Sequence, residues 1–431
     1  MEVEKLVEWN PWWEKEESIE DLRGKPRPQY ADIVDAITIK EIIIITGVRR
    51  SGKSTLLYEM ISQLLKKNVD KKQILFINLE DKKFSKDSIE EIYTCYRENI
   101  NSDKKAYIFL DEVHKKEGWE DWIRKKYDLK TNDKFVISGS CSYLLKREYA
   151  TLLTGRNLTF EVFPLSFKEF LAFKEVSIEE SNVERGIVRD QTKHSIMKHL
   201  QEYVIQGGFP EITLKEERYK MKVLKQYFDD ILYKDIIDRY NLNSQKTKDL
   251  ALFLITNVTS FFSLRSIRSM VKVSYDTIKE YISYYQEAFL LFTLDHFSYS
   301  LKEQKTLPSK VYCIDNGLRN AVAFKFSKDE GKLVENLVFL ELRRNDKEVY
   351  YWKKKGEVDF IVKNKDLSLT AINVSYSDEI LEREVMALEE FKKEMKTRCG
   401  EMLMITKTRE EKVGQIKYVP LWKWLLIKKE E

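Results

Sequence analysis

Residues 47–54 read GVRRSGKS. They fit the pattern G-x-x-x-x-G-K-[ST], a loop whose backbone N–H groups surround the phosphates of a nucleoside triphosphate. The β-branched run at 42–46 comes directly before the loop and predicts a buried parallel strand. Residues 55–66 follow it with the spacing of an amphipathic helix. Because strand, loop and helix aim N–H groups and a helix N-terminus at one anion, they predict a nucleotide site.

The loop is expected to supply a backbone cradle and two side chains with separate tasks. The ammonium of Lys53 would offset the charge of the β- and γ-phosphates, and the hydroxyl of Ser54 would bind Mg²⁺. The nucleotide is taken to be ATP. The residues predicted to bind it are Gly47, Val48, Arg49, Arg50, Ser51, Gly52, Lys53, Ser54 and Thr55.

An acidic pair follows a second apolar strand, which is predicted over 106–110. We expect Asp111 to hold Mg²⁺ and Glu112 to orient the water that attacks the phosphate. A third strand, predicted over 134–138, ends at Ser138, whose hydroxyl either contacts the γ-phosphate or the water, or caps the strand end. Together with the phosphate loop, the acidic pair indicates hydrolysis of ATP rather than binding alone.

Strands and helical stretches alternate from residue 41 to about 165, with further strands predicted over 74–79 and 158–163. This alternation predicts an α/β fold with a parallel sheet and crossover helices. An extra strand carrying Ser138 beside the acidic strand is typical of P-loop ATPases of the additional-strand (ASCE/AAA-type) class.

Composition bounds the remaining choices. The 431 residues predict several domains, and 75 basic against 71 acidic residues give a net charge of only +4. Such a balance excludes a polybasic protein that coats nucleic acid, but it is compatible with a local basic patch. The four cysteines are far apart without CxxC spacing, so neither a disulfide framework nor a zinc site is indicated. With no signal peptide or membrane-length apolar run, we expect a cytoplasmic protein without a membrane partner.

Segments outside the predicted core suggest further modules. Residues 1–40 are predicted to form an irregular arm whose tryptophans either cover the core or lie near the adenine. Ser166 and Glu169 form a capping box that begins a helical region ending near Asn241. Residues 244–300 read as helices, a short turn, a helix and a hairpin, the order of a winged helix-turn-helix.

The second helix of that predicted motif carries Tyr275, Lys279 and Ser283 together with Asp276 and Glu280. It offers no arginine fork for guanine, and winged helices also serve as protein-interaction modules. DNA binding and protein contact therefore both stay open at this point.

The ordered motifs resemble one family. Beside the phosphate loop and the acidic pair, these motifs are Ser138-Gly139-Ser140, Leu153-Thr154-Gly155-Arg156, Pro164-Leu165-Ser166-Phe167-Lys168-Glu169-Phe170 and Gly207-Gly208-Phe209-Pro210-Glu211. Together they resemble the archaeal and bacterial AAA-type ATPases that carry a C-terminal restriction-endonuclease-like domain. The resemblance implies an arm (1–40), an ATPase core (41–165), a helical lid (166–243), a winged helix (244–305) and a nuclease-like domain (306–431).

The nuclease-like match departs from the family pattern in its reacting centre. Glu335 and Asp359 match two acidic positions, but Asn373 replaces the third carboxylate and Ser375 the lysine. Asn is a weak, neutral ligand for Mg²⁺, and Ser cannot supply a positive charge. We therefore expect a degenerate domain that does not cut nucleic acid, retains at most one weak Mg²⁺, and is kept for binding.

Arg156 is a candidate arginine finger from a neighbouring subunit, and a salt bridge of the lid is the alternative. The first functional hypothesis is a Mg²⁺-dependent ATPase that couples hydrolysis to a conformational change. The second is a nucleic-acid-binding regulator that uses ATP as a switch, and the third is an ATP-coupled nuclease, which Asn373 and Ser375 disfavour. Binding of DNA or RNA and assembly into a homo-oligomer are left open.

Overall fold

The computed structural model describes residues 2–140, 155–324, 330–377 and 379–427. The chain divides into two compact units, Met1–Val162 and Phe163–Glu431. The predicted lid, winged helix and nuclease-like segment thus all belong to the second unit.

The first unit alternates strands and helices after a short helical lead-in. Its helices are α1 (Glu4–Trp9), α2 (Ile19–Leu22), α3 (Ala31–Asp35), α4 (Lys53–Lys66), α5 (Ile89–Asn99) and α6 (Trp119–Asp128). Its strands are β1 (Ile42–Thr46), β2 (Ile74–Asn78), β3 (Tyr107–Asp111), β4 (Lys134–Gly139) and β5 (Asn157–Glu161). The five strands predicted from the sequence are all present, with ends that differ by at most two residues.

These strands form one parallel sheet in the order β2-β3-β4-β1-β5. β4 lies between the strand before the phosphate loop and the strand that ends at Asp111, which confirms the predicted extra strand. All five residues of β1 are buried, as expected for a strand covered on both faces. The carboxyl ends of β1, β3 and β4 therefore meet at one edge of the sheet.

The amino-terminal segment covers the free edge of this sheet. The side chain of Asn10 donates to the carbonyl oxygen of Phe76 on β2 at 2.9 Å and accepts from its N–H at 2.7 Å. The indole N–H of Trp13 donates to the carbonyl oxygen of Ile74 at 2.8 Å. These bonds occupy polar groups that an edge strand would otherwise present to other chains. Trp12 and Trp13 are buried in the core, which confirms the core-covering alternative.

The same segment is not irregular, contrary to expectation, because α1, α2 and α3 are helical. Each is at most six residues long. Helices this short have no stable periodic pattern of their own and are held by tertiary packing, so the sequence alone did not reveal them.

The second unit begins with helices. They are α7 (Phe167–Phe173), α8 (Glu180–Glu184), α9 (Asp190–Gln206), α10 (Pro210–Leu214), α11 (Glu217–Asp230) and, after a π-helical turn at Ile231–Ile237, α12 (Asp238–Tyr240). The predicted capping box at the start of α7 is confirmed, since Ser166 and Glu169 exchange both of its hydrogen bonds. Residues 207–209 turn the chain between α9 and α10, as predicted.

Three helices and a two-stranded antiparallel sheet follow. They are α13 (Ser244–Thr256), α14 (Leu264–Val271), α15 (Tyr275–Glu287), β6 (Leu291–Leu294) and β7 (Lys310–Cys313), with α16 (Leu301–Thr306) between the strands. The boundary predicted at residue 306 lies inside this hairpin. After it, α17 (Asn316–Val322) packs against α9 and α11.

The last part of the chain forms a six-stranded mixed sheet in the order β12-β13-β11-β10-β9-β8. The strands are β8 (Glu348–Lys353), β9 (Glu357–Lys363), β10 (Leu369–Ser375), β11 (Cys399–Thr406), β12 (Glu411–Val413) and β13 (Ile416–Pro420). The helices are α18 (Glu330–Arg344), α19 (Glu382–Met395) and α20 (Leu421–Leu426). In the described parts of the chain, no helix combines the length and the apolar character that crossing a membrane requires.

Candidate nucleotide site

The loop after β1 needs glycine at its first position. Gly47 has a φ of 149°, and a Cβ added there would lie 2.2 Å from the carbonyl oxygen of Val162. The backbone after β5 approaches this closely because the N–H of Val162 donates to the carbonyl oxygen of Thr46 at 2.7 Å. Gly52, with a φ of 102°, turns the chain into α4. The helix N-terminus therefore faces the loop, as the motif requires.

Two predicted ligands of Mg²⁺ meet at the edge of the sheet. The hydroxyl of Ser54, at the start of α4, donates to Oδ2 of Asp111, at the end of β3, at 2.6 Å. Ser138, at the end of β4, donates its hydroxyl to Oδ1 of the same carboxylate. The ammonium of Lys53 is buried and donates to the carbonyl oxygens of Gly47 at 3.0 Å and of Val48 at 3.1 Å.

The buried carboxylate of Asp111 suits a cation. Burial raises the pKa of Asp111 above its ordinary value, and the charge of Glu112 raises it further, against hydrogen bonds from Ser138 and Ser54 and the charge of Lys53. A cation bound next to Asp111 would therefore stabilise the ionised form of its carboxylate. Hydroxyl and carboxylate oxygens are the donors that Mg²⁺ prefers, so Ser54 and Asp111 fit this ion.

Glu112 is held at the same edge. Its backbone is left-handed, with a φ of 53°, which turns the chain directly after β3. Its carboxylate Oε2 accepts the backbone N–H of Ser140 at 3.2 Å and lies 3.4 Å from Nδ1 of His114. The sequence singled out Glu112, whereas the contact with His114 became visible only in the structure.

Arg156 lies at the opposite end of the sheet. Its carbonyl oxygen accepts the N–H of Ile42, the first residue of β1, while residues 47–54 follow the last residue of that strand. Its Nε is 2.9 Å from Oδ1 of Asp128 at the end of α6, so the ion pair lies in the first unit rather than in the predicted lid. This register separates Arg156 from the phosphate loop of its own chain. Leu153 and Thr154 of its motif lie outside the described residues.

Two arginine side chains, Arg27 of the amino-terminal arm and Arg49 of the loop itself, make contacts that no sequence motif predicts. Nη1 of Arg27 donates to the carbonyl oxygen of Ser51 at 2.8 Å, and Nη1 of Arg49 lies 3.1 Å from Oε2 of Glu80. These partners are 24 and 31 residues apart in the chain. No local pattern indicates such contacts, because they exist only once the arm and β2 have packed.

The predicted nuclease-like residues also come together, in the second unit. Glu335 lies on α18, Asp359 on β9, and Asn373 and Ser375 on β10. The side-chain oxygen of Asn373 accepts the N–H of Asp359 at 2.9 Å. One residue was missed: Lys310 of β7 places its Nζ 3.0 Å from Oε1 of Glu335 and 3.2 Å from Oδ1 of Asp359.

The sequence matches three family models in chain order. An AAA domain covers residues 39–171, a domain of unknown function (DUF8612) covers 197–329, and a second (DUF4143) covers 330–424. The chain is also 34% identical over 428 residues to the uncharacterized protein MJ1544 of Methanocaldococcus jannaschii, a match that spans 94% of this chain and 93% of the relative. The chain belongs to the MJ1544 family. The AAA domain identifies residues 39–171 of this member as a P-loop ATPase domain.

The family extends to bacteria. An uncharacterized protein of Haemophilus influenzae is 32% identical over 334 residues, which cover 75% of this chain and 80% of the relative. The AAA-domain match over residues 39–171 confirms the P-loop ATPase part of the predicted resemblance.

Two solved structures are distantly similar to this chain. The Aeropyrum pernix ORC1 protein, solved in complex with DNA, has a TM-score of 0.30 at 11% identity, covering 73% of this chain and 96% of its own. AMPPCP-bound DnaA from Aquifex aeolicus has a TM-score of 0.27 at 15% identity, covering 60% and 87%. TM-scores this low support no conclusion about this protein.

Proposed function

We propose that the protein is a Mg²⁺-dependent ATPase that couples hydrolysis to a conformational change. The observation that carries the proposal is the contact of Ser54 with Asp111 at 2.6 Å, at the same edge as Lys53 and Glu112. A hydroxyl and a carboxylate poised for one cation, beside a loop built for phosphates, suit phosphoryl transfer to water.

Each residue has a distinct task in this proposal. Ser54 and Asp111 would hold Mg²⁺, which when bound offsets charge on the phosphates and on the buried carboxylate. The backbone of residues 48–53 cradles the phosphates, and Lys53 turns its ammonium from the loop carbonyl oxygens to the β- and γ-phosphates. Glu112 orients water and accepts its proton, while the hydroxyl of Ser138 senses the γ-phosphate.

The test of hydrolysis is Glu112→Gln. The amide retains the size of the carboxylate but cannot accept the proton of water, so turnover should fall by about 10²- to 10⁴-fold while ATP binding persists. The measurements are steady-state phosphate release and equilibrium binding of labelled ATP. Glu117→Gln is the matched control, because Glu117 is an exposed acid five residues further along the chain. Wild-type turnover in Glu112→Gln would exclude Glu112 as the water-orienting group.

The three segments of the second unit are proposed as a helical lid, a winged helix and a degenerate nuclease-like domain. The order α13-α14-α15-β6-β7 supports the winged helix. The order α18-β8-β9-β10-α19-β11, with Glu335 on the helix and Asp359 on the second strand, supports the nuclease-like domain. Since Asn373 and Ser375 replace a ligand and a lysine, plasmid DNA with Mg²⁺ or Mn²⁺ should stay uncut. Metal-dependent cleavage that Asp359→Ala abolishes would contradict this.

Nucleic-acid binding is a second candidate function, favoured by one surface. Arg265, Arg268 and Lys272 lie three and four residues apart on α14 and the turn after it, and they line a groove of about 680 Å³ with Ser269 and Tyr275. All five side chains are exposed. Within the part of the chain that the structure describes, none of the three cations belongs to an ion pair.

This groove, lined by Arg265, Arg268 and Lys272, differs from the face that the sequence indicated. The predicted recognition face on α15 mixes Lys279 with Asp276 and Glu280. The charged residues that line the groove are all cations, which suits the backbone phosphates of duplex DNA. The guanidinium of Arg268 lies 4.8 Å from the ring centroid of Tyr275, which orients one of the three charges.

Salt dependence tests the groove. Replacing all three cations by alanine should weaken binding of a labelled DNA duplex and make the slope of log K against log salt shallower by about 3, close to one unit per phosphate. Lys215→Ala is the control, because Lys215 already pairs with Glu211 at 2.6 Å. Equal slopes for wild type and the triple variant would exclude the groove as the DNA-binding surface. Tighter binding of RNA than of DNA would identify RNA as the partner.

A further inference from the structure

Lys310 lies at the centre of three carboxylates. Its Nζ is 2.7 Å from Oε1 of Glu357, 3.0 Å from Oε1 of Glu335 and 3.2 Å from Oδ1 of Asp359. Its side chain is 2% exposed, so water supplies little of its solvation. The ammonium donates hydrogen bonds to Glu335 and Asp359 and forms an ion pair with Glu357.

The three acids and the lysine come from three elements. Glu357 and Asp359 project from the same face of β9, Glu335 comes from α18, and Lys310 from β7 of the two-stranded sheet. Tyr312, two residues after Lys310 on the same strand, donates its hydroxyl to Oε1 of Glu335 at 2.9 Å. β7 thus delivers one positive charge and one hydroxyl to the carboxylates.

The charges in this centre depend on one another. Burial raises the pKa of Glu335 to about 7, and the ammonium of Lys310 opposes that rise. Burial by itself disfavours the ammonium, yet the surrounding acids raise the pKa of Lys310 well above its ordinary value. Without Lys310, three carboxylates would face one another in a poorly solvated space, at a high cost in free energy.

Asp359 and Asn373 make further hydrogen bonds within the protein. Oδ2 of Asp359 accepts the N–H of Val374 at 3.0 Å. The amide of Asn373 accepts from the N–H of Asp359 and donates to Oε2 of Glu384 at 3.2 Å. Asn373 is fully buried. The side chain at the place of the missing carboxylate therefore braces Asp359 rather than pointing an oxygen at a cation.

We propose that Lys310 is a built-in cation, whose ammonium offsets part of the negative charge of Glu335, Glu357 and Asp359 in place of a divalent metal ion. The comparison with a metal centre rests on the proposed nuclease-like fold of this segment. The strand that carries Lys310 belongs to the hairpin with β6, so the charge also joins that hairpin to the six-stranded sheet. The centre is then a structural one that requires no metal.

The test exchanges the ammonium for a metal ion in the full-length protein. Lys310→Ala removes the charge and leaves room, so its Tm should fall by about 10 °C, and millimolar Mn²⁺ should restore much of the loss. Lys310→Met removes the charge but fills the space with a chain of similar length. It should be destabilised and gain no Mn²⁺ response. Lys353→Ala is the control, since Lys353 is a half-exposed partner of Glu357 at 3.0 Å.

Electron paramagnetic resonance, recorded without nucleotide, measures how many Mn²⁺ ions each variant binds and therefore whether Mn²⁺ acts at this centre. Lys310→Ala should bind one more Mn²⁺ than wild type, and Asp359→Asn in that background should remove it. If Lys310→Ala does not fold, the double variant Lys310→Ala/Glu335→Gln should recover folding, because it removes one negative charge together with the positive charge of the ammonium.

Two results would overturn the inference. In the first, Lys310→Ala keeps the wild-type Tm. In the second, wild type itself binds an ion that Asp359→Asn removes. Neither result bears on hydrolysis of ATP, and the nuclease-like fold with its lack of cleavage is tested separately with plasmid DNA.

Discussion

Lys53 and Lys310 are both buried lysines near carboxylates, and they differ in the atoms that receive their hydrogen bonds. Lys53 donates to two backbone carbonyl oxygens of its own loop, which are neutral. Lys310 contacts three carboxylates and is neutralised by them. Residue type alone does not separate the two cases.

The difference predicts which site can take a charged ligand. A lysine bonded to carbonyl oxygens retains its net charge, and a phosphate can replace these weak acceptors. The charge of a lysine surrounded by carboxylates is offset by these groups and does not attract an anionic ligand. Removing the lysine leaves the buried carboxylates unpaired. The loop site is therefore expected to lose function when altered, and the Lys310 centre to lose stability.

The largest expected effect concerns a cation from outside the loop site. Arg156 cannot reach its own phosphate loop, so any catalytic role must be in trans. If it acts so, Arg156→Ala should lower turnover by about 10³-fold with ATP binding nearly unchanged, and mixing with Lys53→Ala protein should restore some activity. Turnover at the wild-type level, together with a monomeric mass by light scattering, would exclude the arginine finger and leave a structural role such as the ion pair with Asp128. A surface pair of this kind contributes at most about 1 kcal/mol.

The second prediction compares the two lysines directly. Lys53→Ala should weaken ATP binding by about 100-fold or more while the Tm without nucleotide stays close to wild type, because only neutral acceptors lose a partner. Lys310→Met should do the reverse. Calorimetric titration with ATP and thermal unfolding of both variants check the pair. A large loss of Tm in Lys53→Ala would show that the two lysines are equally structural.

The smallest expected effect concerns Asp111. Its folded-state pKa is raised, so from about pH 4 upward the folded state binds more protons than the unfolded state, and the free energy of unfolding falls as pH rises toward the raised pKa. Asp111→Asn should therefore raise the nucleotide-free Tm at pH 7.5 by about 2–5 °C and have less effect near pH 4.5.

Asp359→Asn provides the matched control for that change. Its carboxylate pairs with Lys310 at 3.2 Å, so the same substitution there should lower the Tm. Thermal unfolding of both variants across this pH range is the measurement. A lower Tm for Asp111→Asn at pH 7.5 would mean that its bonds from Ser54 and Ser138 outweigh its burial.

The sequence by itself determined the features that depend on residues adjacent in the chain. The phosphate loop, the five strands of the first sheet, the capping box at Ser166 and the acidic pair at 111–112 all depend on local patterns. Such patterns constrain nearby backbone directly, through period, capping and glycine conformation. That the carboxyl ends of β1, β3 and β4 meet also followed, because parallel strands share one edge.

Only the tertiary structure decided what the charged side chains do. Lys310 and its partners Glu335 and Asp359 lie 25 and 49 residues apart, and β7 has no motif that marks its lysine as different from many others. Asn373 and Ser375 suggested a centre without a lysine, but the fold brings one from another strand. The reason is physical: a buried charge is stable only where opposite charges converge, and that convergence depends on packing between distant elements.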